Sequence, residues 1–344
     1  MKSLIHLVLF LLPCMAVAQD LPTPIVGHLF AQPGIRNGSP GRGLSIEYER
    51  QPRFKLSGGA TEGSHNFENE VEYKERLEMK LKFPLLLKDN WKVLGDLYYA
   101  HERYGFEDID PATAYVFEPL DGTKLKRTRF TAYVFRSLSR RTYLTIRAEA
   151  SSNGTYGGIA NFDRRYMVYR IAPVVGIKRN EDTEIGFGVM FTDNFTRYSA
   201  LPFMIYNHNF NERWGTENLL PIRFKLRHNL NENNLLNLAA EYWSSAYSLD
   251  LTPPQETTPR NYIFKNASAQ LFLEWETNKF SEWTWFALRG GYSYNFDSKF
   301  ILPGGSRNAG RIDAFPSSSV FVSATFFIAP PKDILERGGS KRDK

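Results

Sequence analysis

The sequence predicts an all-β chain, a transmembrane antiparallel β-barrel of about 12 strands running as an up-and-down meander. Three observations predict it. Residues 71–83 read V-E-Y-K-E-R-L-E-M-K-L-K-F, with six of seven odd positions apolar and every even one charged. Successive strand side chains point to opposite faces, so this segment has one greasy and one ionic face. No later apolar run approaches the roughly 18 residues of a membrane helix. The mean hydropathy of −0.39 does not argue against a barrel, because alternating lipid-facing and polar residues average out. Finally, short polar turns alternate with longer loops along the chain, as in bacterial outer-membrane barrels.

The elements follow in order. Lys2, the apolar run 4–12 and Ala16-Val17-Ala18 form the three regions of a secretory signal peptide, residues 1–18, too short to span a bilayer. A lipidated Cys14 is the weaker alternative, because Pro13 sits where a small residue should precede it. Cleavage after Ala18 removes the chain's one cysteine. Residues 19–42, rich in Pro and Gly, read as an irregular periplasmic lead-in. The barrel is expected over 43–329, and 330–344 as a flexible tail. Strand candidates are 43–51, 69–83, 91–104, 126–137, 142–151, 165–178, 183–195, 221–229, 235–248, 262–277, 282–296 and 318–329. With both termini periplasmic the strand number must be even. The region 201–220 is ambiguous: read as a hairpin with an outer turn at Pro221 it raises the count to about 14. Because 214–220 alternates poorly, the smaller number is preferred.

Alternation also assigns the faces. Ile185, Phe187, Val189 and Phe191 face one way, and Phe286, Leu288, Tyr292, Tyr294 and Phe296 likewise. A soluble sandwich with this many long strands would have to enclose more apolar surface than one core holds, and an exposed apolar belt would invite aggregation. Glu75 is the one charge on the apolar side of 71–83, so it is placed above the hydrocarbon layer. Aromatics at 15% suit girdles at the two interfaces.

With its signal peptide, its alternating strands and the stretch Leu201-Pro202…Tyr206…Asn211-Glu212-Arg213-Trp214…Leu220-Pro221, the chain resembles the uncharacterised outer-membrane β-barrel proteins of Gram-negative bacteria, a domain of unknown function. The resemblance implies location and fold, with outer-membrane lipid and the barrel-assembly machinery as partners. It carries no activity. The tail after Phe327 departs from barrels that end on an aromatic residue.

The inward face should hold Glu72, Lys74, Arg76, Glu78, Lys80, Lys82, Asp96, Arg147, Glu149, Arg170, Arg223, Lys225, Arg227, Glu241, Glu274, Glu276 and Arg289. These residues line a solute-selecting pore or pair across a narrow lumen and fill it, and the mixture of signs favours filling. Arg223, Lys225 and Arg227 form a consecutive basic ladder, so a pore would prefer anions. Enzyme chemistry at the rim would draw on His101, Ser151 or His208, but no nucleophile motif accompanies them, and the chain is read as a non-enzyme. A third reading, a transporter of a lipid-like ligand, depends on inward folding of 203–210. The acidic run 107–110 has no metal-site spacing, so no metal and no cofactor are expected. Basic and acidic residues are interleaved at a net charge of +6, which gives nucleic-acid binding no support. The expectation is a passive channel or a structural barrel, with small solutes as its cargo.

Overall fold

The computed structural model describes residues 31–329, apart from 32, 61–65, 89, 196, 254–255, 279–281 and 303–310. The expected signal peptide and tail lie outside the described residues. The strands are β1 (Leu44–Gln51), β2 (Phe54–Ala60), β3 (Asn66–Leu87), β4 (Trp91–Asp108), β5 (Leu125–Ser137), β6 (Thr142–Gly154), β7 (Met167–Asn180) and β8 (Thr183–Asn194). They continue as β9 (Arg197–Asn209), β10 (Trp214–Leu220), β11 (Arg223–Asn231), β12 (Asn234–Leu251), β13 (Arg260–Thr277), β14 (Thr284–Ile301), β15 (Ile312–Pro316) and β16 (Ser319–Ile328). Each pairs antiparallel with its neighbour, and β1 closes the ring by pairing with both β3 and β16.

The ring has fourteen wall positions, because β1 with β2 and β15 with β16 are each one strand interrupted once. Pro52 and Pro316 mark the two interruptions, since proline has no N–H to give the ladder. The breaks lie side by side and stitch each other, Lys55 N donating to Ser317 Oγ at 3.0 Å and Ser317 N to the Lys55 carbonyl at 2.7 Å. The preferred count of about 12 is therefore corrected to the alternative of 14. The missing pair is β9 and β10, and of the stretch 203–210, whose inward folding the third reading required, residues 203–209 belong to the wall strand β9.

Leu44 sits opposite Ile328 at what we term the near end, where the barrel begins and finishes. The turns at this end are short. At the far end the β4–β5 connection is long and carries α1 (Ala114–Phe117) between two 3-10 turns, the first capped by Asp110, whose carboxylate accepts from Ala112 N at 2.9 Å.

Register is fixed by shape as well as by polarity. Several glycines stand directly opposite an aromatic residue on the next strand, among them Gly95 opposite Phe83, Gly105 opposite Tyr73, Gly176 opposite Tyr143 and Gly188 opposite Phe203. In each of these four pairs the ring occupies the space a Cβ would need, so the aromatic covers bare backbone, a device that pins strand pairing.

The outward face is apolar around the ring. Phe187, Leu271, Leu273, Leu288, Val320 and Val322 are each more than half exposed, and Met79, Leu81, Leu97, Phe130, Ile171, Phe224 and Leu238 are exposed beside them. A wall that is apolar outside and polar inside inverts a soluble barrel and matches one built to sit in hydrocarbon. Glu75 marks one edge of this zone. It pairs with Arg103 and accepts a hydrogen bond from the Tyr48 hydroxyl at 3.0 Å.

Candidate functional site

The barrel interior has three tiers. At the far end it is apolar. Val116, Phe117 and Leu120 of the β4–β5 connection insert among Phe54, Phe67, Val71, Tyr247, Phe264 and Phe300, and all are buried. The signal for this tier was the apolar content of 114–120 within an otherwise polar loop.

The middle tier is ionic. Arg76 reaches Glu49 at 3.1 Å, Glu78 at 3.0 Å and Glu47 at 3.7 Å, and its guanidinium lies 4.1 Å from the Trp243 ring across the interior. Lys74 pairs with Glu102 at 3.1 Å, and Glu102 also accepts from the Tyr247 hydroxyl of β12 at 2.5 Å. Arg289 contacts Glu274 at 3.0 Å and Glu47 at 3.5 Å. On the β3–β7 side, Lys80 and Arg129 flank Asp96, and Arg129, Arg147 and Arg170 surround Glu149. Each pair exchanges water for a partner of opposite sign, which makes burial of these charges tolerable.

The near end is crossed by residues 33–42, which run along the inner wall before β1 begins. Gly34 N donates to Glu184 at 3.0 Å, Ser39 N to Glu217 at 2.9 Å, and Arg227 and Asn209 donate to the carbonyls of Asn37 and Arg36. Arg42 then reaches Glu274 at 3.3 Å and Glu276 at 3.2 Å. This strap, expected to be a lead-in outside the barrel, is bonded to inward side chains of β8, β9, β10, β11 and β13.

The predicted inward residues divide accordingly. Lys74, Arg76, Asp96, Glu149, Arg227, Glu274 and Glu276 are buried in the interior. Glu78, Lys80, Lys82, Arg147, Arg170, Lys225, Glu241 and Arg289 share those inward positions and are half-buried. Arg223, at the far end of β11, is exposed. Glu72 is a correction: it is exposed, because the β3–β4 register shifts between Val71 and Tyr73 and the inward parity flips there. Val71 consequently turns inward, fully buried. The basic ladder is also reassigned. Lys225 contacts Ser39, and Arg227 is held by Glu217, Asn37 and Asn209. These two cations anchor the strap and do not face an open passage. Sequence reasoning omitted Glu47, Glu49, Glu102, Arg129, Glu184 and Glu217. Glu47 and Glu49 were legible from their alternation with Ile46 and Tyr48.

The rim groups do not converge. His101 lies on the outward face of β4 beside Tyr99, ring centres 6.0 Å apart, whereas Ser151 is buried on the inner face of β6 and bonded to the Val168 carbonyl at 3.5 Å. His208 is at the near end, its Nδ1 2.9 Å from Thr183 Oγ1. The acidic run is engaged locally, Glu107 by Arg53 at 2.5 Å and Asp110 by its cap. Among the described residues no three His, Cys, Asp or Glu side chains gather as metal ligands would.

The wall itself is uneven. β10 has 7 residues and β11 has 9, against 18 in β12. Beyond the pair Arg223–Glu241, the edge of β12 meets β6 through one parallel bridge, Ser248 to Gly154, and through Asn153 Nδ2, which donates to the Ala246 carbonyl at 3.2 Å. Outside this region, β5 to β9 form a groove of about 730 Å³ lined by Ala132, Ala148, Ala150, Ala200, Phe130 and Phe191, part of the apolar outer surface.

No protein-family model matches this chain, and no curated protein matches it in sequence. Solved structures similar to it include the COG4313 outer membrane channel from Pseudomonas putida F1, at 10% identity and a TM-score of 0.41 over 90% of this chain and 100% of that one. A Pseudomonas aeruginosa FadL homologue is similar at 8% identity and 0.40, covering 83% and 90%. The P. putida toluene transporter TodX follows at 9% and 0.32, covering 84% and 90%. Likeness at this level speaks to neither substrate nor mechanism.

Proposed function

We propose that this protein is an integral outer-membrane barrel that passes small solutes through its interior, and that the strap 33–42 holds it closed. The observation that carries this reading is the chemistry of the strap's attachment. It is fixed at the near mouth by hydrogen bonds and ion pairs, to Glu184, Glu217, Arg227 and Glu274 among others. Bonds of this kind, made to charged side chains, exchange for bonds to water at a net cost of about 1.5–3 kcal/mol each, and the groups they release are readily hydrated, whereas an apolar plug would resist hydration. The exposed apolar belt and the expected signal peptide support the outer membrane as its location. A purely structural barrel is the second reading, favoured by the apolar far tier.

The test is ion conductance of the purified protein in planar bilayers. The wild-type chain should be nearly silent, and a variant combining Arg42→Ala with Glu217→Gln should conduct. Absence of current from both proteins would leave the structural reading. A fully conducting wild type would remove the strap as the closure.

A further inference from the structure

We propose that the interior carries a binding site for small oxyanions, carboxylate or phosphate, on the wall formed by β3 to β7. The proposal deepens the transport reading above and rests on it for its biological sense, although its geometry stands independently.

The strand register builds the site. Lys82 lies opposite Asp96, Asp96 opposite Thr131, Thr131 opposite Glu149, and Glu149 opposite Arg170, which makes one transverse row around the inner wall. Lys80 and Arg129 occupy the next inward row, both opposite Tyr98, and Arg147 lies opposite Tyr133 on the other side. This patch holds five cations, Lys80, Lys82, Arg129, Arg147 and Arg170, and two carboxylates. The two carboxylates are fully shielded, the side chains of Asp96 and Glu149 being 0% exposed, while those of Lys80, Arg170 and Arg147 keep 32%, 26% and 37%. Depth therefore sorts the charges. The acids form the floor, the cations are the accessible layer, and a solute meets a positive surface.

The facing wall has the opposite balance. Glu47 and Glu49 of β1 and Glu274 and Glu276 of β13 share it with Arg42 and Arg289, while Arg76 and Glu78 of β3 pair with each other at the boundary. An excess of positive charge on one side and of negative charge on the other sets a field across the interior, strengthened by the low-dielectric wall. An oxyanion is drawn to the β3–β7 side, where guanidinium forks match its oxygen pairs. Tyr133 supports the accessible cations from beneath, Lys82 Nζ lying 5.2 Å and the Arg147 guanidinium 5.8 Å from its ring. The ladder that suggested anion preference in the sequence is spent on the strap. This second set of cations takes over the role.

The test is titration calorimetry on the full-length protein folded in detergent, with inorganic phosphate and, separately, succinate. We expect saturable binding of at least one, about tenfold weaker in the Lys82→Gln/Arg147→Gln variant and unchanged in Arg223→Gln. Gel mobility before and after boiling confirms that each variant is folded. Which of the two anions binds more tightly identifies phosphate or carboxylate as the preferred group. No saturable binding of either anion, or equal binding by the double variant, would overturn the site. Anion binding together with a silent Arg42→Ala/Glu217→Gln variant in bilayers would retain the site and remove the transport reading, and current through that variant without anion binding would do the reverse.

Discussion

Arg227 and Glu217 form an ion pair of 3.0 Å in which the guanidinium is wholly shielded from solvent. The same Glu217 oxygen accepts from Ser39 N at 2.9 Å, and Arg227 donates to the Asn37 carbonyl. One inward pair thus joins β10, β11 and the strap. Glu217→Gln leaves a buried cation without its counter-charge, a change that costs roughly 3 kcal/mol when a buried pair loses one member. Urea unfolding in detergent should show a lower midpoint for this variant. An unchanged midpoint would mean that the strap is not anchored by this pair.

How much of this was legible depended on whether side-chain polarity followed the strand period. In 71–83 it did, and the two faces of β3 were readable down to Glu75 as the outward exception. The parity flip at Glu72 was hidden, because Glu70, Glu72 and Lys74 are charged on either side of the shift. β10 alternates poorly for a physical reason. Its ladder with β11 lapses between Thr216 and Leu219, and side chains repair it: Asn218 Oδ1 accepts from Lys225 N at 3.0 Å, and Thr216 Oγ1 donates to the Lys225 carbonyl at 2.9 Å. Polar residues at outward positions there look like a loop. The strap was least legible of all, since it is held largely through its own backbone groups at Gly34, Arg36, Asn37 and Ser39, which every sequence possesses.

The aromatic–glycine pairs give a prediction about shape. A Cβ added to Gly176 would stand 2.0 Å from Tyr143 Cζ, and Tyr143 is buried with its hydroxyl bonded to Glu184. The ring cannot retreat without breaking that bond. Gly176→Ala should therefore destabilise the barrel by about 1–3 kcal/mol, the usual cost of overpacking. Gly290→Ala, with open space at its Cβ, should be nearly neutral. Equal unfolding midpoints for the two variants would show that Tyr143 does not rest on Gly176.

The outward belt gives a prediction about solvent. Leu273 is 54% exposed in the middle of the apolar side of β13. In water, Leu273→Arg at such a site would fall within about 0.5 kcal/mol of neutral. In a bilayer, an arginine facing the hydrocarbon midplane costs about 2–4 kcal/mol. Refolding the variant into lipid vesicles should show the larger loss, and a neutral result would contradict lipid contact at this position.

Glu75 and Glu102 lie on the same β3–β4 ribbon and face opposite ways, which lets one experiment compare the two environments. Glu75 binds Arg103 and the Tyr48 hydroxyl on the outer surface. Glu102 is 1% exposed and is held by Lys74 at 3.1 Å and the Tyr247 hydroxyl at 2.5 Å. Removing the outer charge exposes its partner to water and headgroups, so Glu75→Gln should cost no more than about 1 kcal/mol, and less in high salt. Removing the inner charge strands Lys74 in the interior, and Glu102→Gln should cost roughly 3–5 kcal/mol with little salt dependence. Urea titrations of the two variants at low and high ionic strength measure both quantities. If Glu102→Gln proves as mild and as salt-sensitive as Glu75→Gln, then water reaches Lys74 and the inner pair is solvated like the outer one.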